Sequence, residues 1–172
     1  MYVSRLALDH YRSWGHCVVD FTDGVNILHG ANGLGKTNIV EAIEVLSTGT
    51  SHRTSSSLPL IERGCASATI RANVSISAPA PGAPASDARH DGSSGAGLGE
   101  TGAAEPDTTY EVTVAARGAN RARINGGSSL YMRDVVGRIP SISFTPEDQR
   151  LVSGDPATRR TLLNQAGAML IG

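Results

Sequence analysis

Apolar and polar residues alternate along several short stretches of the chain, and this pattern predicts a β-rich first half. Leu6 and Leu8 fall on one face of a strand predicted over residues 2–10, and a second strand is predicted over residues 16–21. A further apolar run over residues 24–29 predicts a third strand that leads into a glycine-rich loop. We expect the first two strands to form an antiparallel pair ahead of this third strand.

A helical period begins where the glycine-rich loop ends. Apolar residues at Ile39, Ala42, Ile43 and Leu46 share one stripe of a helix over residues 36–46, and Gly49 is suited to end it. The later elements follow the same two patterns: a short helical turn over 58–63, strands over 68–76, 110–116, 121–125 and 139–144, a helix from Ser128 or Ser129 to Val136, and a last helix from Pro156 or Thr158.

Residues 77–109 differ from the rest because Leu98 is the one large apolar side chain among them. Ordering such a segment would cost backbone entropy with little burial in return. We therefore predict a disordered acidic insertion rich in Ala, Gly, Pro and Ser, placed within a hairpin and not between two domains. A role as a functional tether is the alternative interpretation.

Charge is distributed unevenly between this insertion and the remainder. The whole chain has a net charge of -1, with 15 Lys plus Arg against 16 Asp plus Glu. Five acidic residues and Arg89 give the insertion four net negative charges, so the remainder carries +3. A mildly basic remainder is compatible with a nucleic-acid partner without indicating one.

The composition predicts one soluble cytoplasmic domain. A chain of 172 residues is long enough for a single core. Arg5, Asp9 and Arg12 interrupt any apolar run at the start, and no stretch has the roughly 20 apolar residues that span a bilayer. Cys17 and Cys65 lack metal-binding spacing in the sequence and are predicted to be free thiols.

The glycine-rich loop carries the strongest chemical signal. Gly30–Thr37 matches the pattern G-x-x-x-x-G-K-[ST], and its position between a predicted strand and a helix is that of a phosphate-binding P-loop. Backbone N–H groups would cradle phosphate, Lys36 would reach the β- and γ-phosphates, and the Thr37 hydroxyl would bind Mg²⁺. Lys36 is the only lysine among the 15 basic Lys and Arg residues. A compact ammonium fits so tight a loop better than a planar guanidinium.

Two strands ahead of the P-loop strand favour one class of nucleotide-binding fold. Most P-loop kinases and small GTPases carry the loop on their first strand, whereas ABC-type heads add antiparallel strands that frame the nucleotide. We therefore predict an α/β P-loop NTPase fold in which residues 1–172 are the N-terminal part of an ABC-ATPase-like head (lobe I), with mixed and antiparallel strands.

Six segments in the same order resemble the RecF family of bacterial recombination-mediator ATPases, whose heads are similar to those of SMC proteins. The segments are Tyr11–Trp14, Gly30–Asn38, Ser51–Arg53, Asp134–Gly137, Phe144–Asp148 and Gly154–Arg160. The resemblance covers the chain except for the insertion. It implies binding of ATP and Mg²⁺, an ATP-dependent homodimer and slow ATP hydrolysis. It also implies binding to DNA at gaps and single-strand/double-strand junctions, and cooperation with RecR and RecO in loading recombinase.

The resemblance also implies roles for individual residues. The nucleotide loop would consist of Gly30, Ala31, Asn32, Gly33, Leu34, Gly35, Lys36, Thr37 and Asn38, with Arg12 beside the nucleotide. Arg53 is a candidate contact to phosphate of nucleotide or DNA, or else a solvated loop charge. Glu147 and Asp148 lie where similar heads sense Mg²⁺ or water, usually through Gln. A pair of carboxylates at a helix N-terminus is the alternative for them.

The catalytic carboxylates of such a head are not evident in the sequence. Residues 151–155 resemble an ABC signature only weakly because the second glycine is missing, and Pro146 separates the predicted strand 139–144 from the carboxylates that follow it. We expect the signature and the Walker B base to lie outside this chain. Two other functions remain open: a P-loop small-molecule kinase, and a nucleotide-binding DNA scaffold that does not hydrolyse ATP.

Overall fold

Six antiparallel strands form one sheet in the computed structural model, which describes residues 1–76, 107–145 and 154–171. The sheet order is β2-β1-β3-β4-β5-β6, and every ladder is antiparallel. The strands are β1 Tyr2–Tyr11, β2 Trp14–Asp20, β3 Ser67–Ser75, β4 Thr108–Ala115, β5 Arg121–Ile124 and β6 Leu130–Tyr131. The helices are α1 Lys36–Thr48 and α2 Pro156–Ile171, and Leu58–Leu60 and Met132–Asp134 form short 3₁₀ turns.

The core lies between one face of this sheet and α1. Strand residues that alternate inward include Leu6, Leu8, Ile70 and Val112, all fully buried. From α1, the residues Ile39, Ala42, Val45 and Leu46 join the same cluster. Burying these apolar side chains against each other holds the start of α1, and with it the glycine-rich loop, against the sheet.

Charged pairs cover the other face of the sheet. Arg5 donates to Asp20 across β1 and β2, and Arg71 on β3 binds both Asp9 on β1 and Glu111 on β4. These cross-strand pairs occupy the alternate positions of strands whose other residues are buried. The period-2 pattern in the sequence therefore corresponds to a sheet with one packed and one solvated face.

The alternation breaks at the end of β1. After Leu6 and Leu8 the next inward position would be His10, but His10 is exposed and Tyr11 is fully buried. His10 has a φ of 53° and Arg12 a φ of 55°, in the left-handed region that non-glycine residues rarely adopt. With these backbone angles the side chains no longer alternate between the two faces of the sheet. Tyr11 therefore points into the core, and the turn to β2 begins.

Most predicted elements are confirmed within a residue or two. The first two strands pair as expected, α1 starts at Lys36 and ends before Gly49, which has a φ of 73°, and β3 to β5 and α2 lie where predicted. The predicted insertion lies outside the described residues except for its last three. There Asp107 accepts hydrogen bonds from the hydroxyls of Ser4 and Ser75, and Thr108 already belongs to β4.

The helix predicted from Ser128 or Ser129 to Val136 is wrong. Leu130 and Tyr131 pair with β5 instead, and only Met132–Asp134 turn helically. The Asp134 carboxylate accepts a hydrogen bond from the Tyr131 N–H at 3.0 Å, so the turn is capped at Tyr131, two or three residues after the predicted serine caps. Cross-strand pairing with β5 thus outweighs the local helical preference.

The two predicted strands over residues 24–29 and 139–144 are also not strands in the structure. Neither segment pairs with another among the described residues. Val25 and Ile27 are 88% and 79% exposed, and Phe144 is 86% exposed. A strand needs a neighbour to bond its backbone groups, so an apolar run is not sufficient by itself. Among the described residues no helix is both long enough and apolar enough to cross a membrane.

Candidate nucleotide-binding site

The loop over residues 30–38, called the phosphate loop below, wraps the N-terminus of α1. Gly33 and Gly35 both have a φ of 86°, and Gly35 is the residue that caps the helix. No side chain caps this end of α1. The first N–H groups of the helix and its positive dipole end are thus available to an anion, as phosphate binding requires.

The single lysine of the chain lies over this loop. The Lys36 ammonium donates hydrogen bonds to the carbonyl oxygens of Gly30 and Ala31, both at 2.8 Å. These contacts draw the side chain back across the loop from the first turn of α1. A cation is thereby held next to the free N–H groups, where it can bind the oxygens of a phosphate chain.

The turn between β1 and β2 supports the phosphate loop from the other side. The Trp14 indole N–H donates to the Gly35 carbonyl at 3.3 Å, and the Asn38 amide donates to the Ser13 hydroxyl at 3.0 Å. A Cβ atom on Gly35 would lie 2.8 Å from the Trp14 indole nitrogen. Glycine is therefore required at position 35 both by its backbone angle and by this close approach.

A cavity of 460 Å³ opens beside the loop. Its lining combines the loop with the segment after α1 and with residues 143–145: Leu28, Lys36, Thr37, Val40, His52, Arg53, Ser143, Phe144 and Thr145. Two cationic side chains and the Thr37 hydroxyl thus share one open space with apolar walls. This combination suits a ligand that carries phosphates and an apolar or aromatic portion.

A buried carboxylate organises the arginines near the loop. Glu41 is fully buried on α1 and binds Arg12 through two hydrogen bonds, of 2.9 and 2.5 Å. The Ser51 hydroxyl donates to the same carboxylate at 2.5 Å, and Arg53 donates to it at 3.1 Å. Arg53 also donates to the Asn38 amide oxygen at 2.8 Å, which ties the network to the phosphate loop.

The ionisation of this network follows from competing effects. Burial alone opposes a charge on Glu41, but the hydrogen bonds from Arg12 and Ser51 and the charges of Arg12 and Arg53 outweigh it and lower its pKa. Burial likewise lowers the pKa of Arg12, but the bond to Glu41 outweighs this and raises it. Burial also raises the pKa of the neighbouring Tyr11 hydroxyl. The pair is therefore ionised, and Tyr11 is neutral.

The structure brings some of the residues predicted for the site together and separates others. Lys36, Thr37 and Arg53 line the same cavity. Arg12 lies close by but directs its guanidinium to Glu41. Glu147 and Asp148 lie outside the described residues, so the prediction for them stays untested.

Glu41 was not singled out from the sequence. Its position on α1, beside Ala42 of the apolar stripe, carries no signal of burial because glutamate is usually solvated. Arg12 and Arg53 lie before and after α1 in the sequence, and these positions alone do not indicate a common partner. Only the fold shows that both arginines meet the same carboxylate.

Comparison with known proteins gives a consistent result. A family model described as "AAA domain" matches residues 5–124. The DNA replication and repair protein RecF of Bifidobacterium adolescentis is 63% identical over 171 residues, which is 99% of this chain and 36% of that protein. The RecF protein of Bifidobacterium longum subsp. infantis is 65% identical over 170 residues, 99% of this chain and 35% of that protein. The chain thus spans about a third of the length of these relatives.

Solved structures show the same fold. One match is a structure of the recombination mediator protein RecF with ATP. The match covers 98% of this chain and 39% of that chain, with a TM-score of 0.74 and 23% identity. A structure from work on ATP-driven dimerisation and DNA-stimulated activation of SMC ATPases also matches. The match covers 96% of this chain and 99% of that chain, with a TM-score of 0.65 and 20% identity. The predicted P-loop head of ABC type and the resemblance to RecF are therefore confirmed.

Proposed function

This chain belongs to the AAA domain family, and from that premise we propose that its phosphate loop binds ATP with Mg²⁺ as part of a DNA-repair ATPase head. The observation that carries the proposal is the convergence of Lys36, Thr37 and Arg53 on one cavity at the uncapped start of α1. A triphosphate needs cations, backbone N–H donors and a hydroxyl for its metal ion in one place.

The residues present fit such a ligand. The uncapped N-terminus of α1 offers N–H groups, and the Lys36 ammonium lies beside them on two carbonyl oxygens that phosphate oxygens can replace. Thr37 would supply its hydroxyl to Mg²⁺, which neutralises charge on the phosphates. Arg53 would add a second cation, held in direction by Asn38 and Glu41.

We further propose that the protein acts in DNA replication and repair as a recombination mediator. Support comes from relatives at 63% and 65% identity that carry the name DNA replication and repair protein RecF. In this proposal ATP binding drives homodimerisation in the cytoplasm and clamps the dimer on gapped or junction DNA, and hydrolysis releases it. RecR and RecO are its proposed partners in loading recombinase.

The far edge of the sheet offers a surface for DNA. Residues 116–138 contain five exposed arginines and only one carboxylate, that of Asp134. This edge therefore has four net positive charges. The arginines are Arg117, Arg121, Arg123, Arg133 and Arg138. The guanidinium carbons of Arg121 and Arg133 lie 4.5 Å and 4.9 Å from the centroid of the exposed Tyr131 ring. Such a surface suits phosphate contacts, which hold DNA without reading its sequence.

Nucleotide binding is tested by titrating the protein with a fluorescent ATP analogue in Mg²⁺. Replacing Lys36 with Ala removes charge-assisted hydrogen bonds, so affinity should fall roughly tenfold to a hundredfold. Arg63→Ala removes an exposed cation outside the cavity lining and is the matched control. Equal ATP affinity in the Lys36 variant and the unmodified protein would refute the proposed site.

DNA binding distinguishes the proposed function from its rivals. The protein should bind gapped DNA more tightly with ATP than without it, and more weakly as salt rises. DNA binding that ignores ATP would instead favour a nucleotide-binding scaffold. ATP binding without DNA binding at low salt, together with phosphate transfer to a small molecule, would favour a kinase.

A further inference from the structure

We propose that His10, Glu62 and Cys65 form a binding site for a zinc-type divalent cation at the end of β1. Among the described residues, this is the one group of three metal-ligating side chains whose donor atoms all lie within 4.8 Å of one another. It lies outside the lining of the cavity beside the phosphate loop. The proposal does not depend on the function proposed above.

The donor atoms are close to the spacing that a tetrahedral ion needs. His10 Nδ1 lies 2.7 Å from Glu62 Oε2, and the Cys65 thiol lies 3.8 Å from the same oxygen. Zinc bonds of about 2.0 to 2.3 Å hold neighbouring ligand atoms roughly 3.3 to 3.8 Å apart. Small side-chain rotations that shift each donor atom by about one ångström or less would bring the three donors to that spacing.

The backbone holds the three residues in place without help from their side chains. The Glu62 N–H donates to the His10 carbonyl at 2.8 Å, and the Cys65 N–H donates to the Glu62 carbonyl at 3.1 Å. A bridge between Tyr11 and Ile61 adds to this contact. Gly64, with a φ of 91°, allows the tight turn that brings the thiol back over Glu62.

The donor set selects the kind of ion. Imidazole nitrogen, carboxylate oxygen and thiolate sulfur together are typical zinc ligands, whereas Mg²⁺ and Ca²⁺ prefer oxygen alone. Three protein ligands leave a fourth position for water. Binding would release the proton of the Cys65 thiol to solvent, and His10 would bind through Nδ1 as a neutral imidazole that carries its proton on Nε2.

Among the described residues, the other pairs of a histidine and a carboxylate lack a third metal-binding donor nearby. His16 Nδ1 lies 2.6 Å from Asp9 on the solvated face of the sheet, in a pair like that of His10 and Glu62. Cys17 follows His16 directly, but successive residues of a strand point to opposite faces, so its thiol lies away from that pair. The His16 pair is therefore a natural comparison for a histidine and carboxylate without a thiol.

A cation at this site would tie the end of β1 to the loop that follows Leu60. Because His10 is two residues before Arg12, the tie would stabilise the strand end from which the β1–β2 turn reaches the phosphate loop. Binding to the folded protein alone raises its stability with metal concentration. The melting temperature should accordingly rise on addition of zinc and fall back on addition of a chelator.

The test is calorimetric titration of the reduced protein with zinc chloride, and cobalt(II) as a spectroscopic probe. We expect one zinc per chain, and a thiolate-to-cobalt charge-transfer band. Cys65→Ser and His10→Asn should each weaken zinc binding by at least about tenfold, since even outer partners of metal ligands contribute that much. Asparagine is chosen at position 10 because it tolerates a positive φ.

Cys17→Ser and His16→Asn are the matched controls and should bind zinc as the unmodified protein does. Retained affinity in both the Cys65 and His10 variants would overturn the proposal. A cobalt complex without the charge-transfer band would also overturn it, because it would show that the thiol is not a ligand. The cobalt spectrum decides the matter even if a variant folds poorly, because it is recorded on the unmodified protein.

Discussion

Arg12 and Glu41 form a bidentate ion pair, with the carboxylate fully buried on the helix that carries the phosphate loop. The arginine comes from the turn after β1, so the pair joins the sheet to α1 directly behind the loop. Ser51 and Arg53 complete the bonding of the carboxylate from the segment after α1. Three separate parts of the chain thus meet at one negative charge.

Replacing Glu41 with Gln should destabilise the protein strongly. The substitution leaves the Arg12 guanidinium, whose side chain is only 16% exposed, without its counter-ion, and breaking such a pair costs about 3 kcal/mol in the free energy of unfolding. Asp20→Asn breaks a similar but exposed pair with Arg5 and is the control, with little change expected. Urea denaturation measures the free energy of unfolding of both variants. Similar losses of stability in the two variants would contradict the claim that burial makes the Glu41 pair important.

Acid should weaken the same pair. Because the pKa of Glu41 is lower in the folded than in the unfolded protein, its ionisation stabilises the fold above the usual glutamate pKa of 4.5. That contribution is lost as pH falls through the lower, folded pKa. The stability difference between the unmodified protein and Glu41→Gln should therefore be constant from neutral pH down to about 4.5, narrow as pH falls from there to the lower pKa of the folded protein, and stay constant below it.

The pH experiment consists of urea denaturation of both proteins in a series of buffers. The comparison with Glu41→Gln isolates this group, since other carboxylates titrate equally in both proteins. A difference that does not narrow in acid would show that the stabilisation does not come from the ionised carboxylate.

Gly35→Ala should impair the phosphate loop more than Gly33→Ala does. Both glycines have a φ of 86°, so alanine costs each about 1 to 2 kcal/mol of backbone strain. Only at position 35 does the new methyl group also meet Trp14, at 2.8 Å, while at position 33 nothing lies within 4 Å. Thermal unfolding and ATP titration of the two variants measure the difference.

A second substitution checks the cause. Trp14→Ala removes the clashing ring, so it should recover part of the loss in the Gly35→Ala variant but none in the Gly33→Ala variant. Equal recovery in both, or equal losses at the two glycines, would show that the contact between Trp14 and Gly35 does not shape the loop.

Replacing Arg121 and Arg123 with Ala should weaken DNA binding. If both contact phosphates, the slope of log affinity against log salt should fall by about one for each arginine, across all DNA sequences. Arg5→Ala, which removes an arginine already paired with Asp20 near the opposite edge, is the control. An unchanged slope in the double variant would exclude this edge as the DNA surface and leave the nucleotide site unaffected.

Local patterns in the sequence were sufficient for the elements that pair with a neighbour close in the chain or that bury one clear face. The strands β1 to β5, α1 and the glycine-rich start of α1 were predicted because alternation, helical period and glycine spacing are local properties. The segments 24–29 and 139–144 were mistaken for strands because an apolar run does not tell whether a pairing partner is present. The serines at 128 and 129 suggested a helix that pairing with β5 overrides.

The sequence by itself determined the phosphate loop, since its eight residues carry both the backbone freedom and the cation that phosphate binding needs. Only the tertiary structure decided what surrounds it. Glu41 meets Arg12 across 29 positions because α1 packs against the sheet. His10 comes close to Cys65 across 55 positions because antiparallel pairing brings the end of β1 and the start of β3 to the same end of the sheet. Contacts of that kind depend on how the chain crosses itself, which no local pattern records.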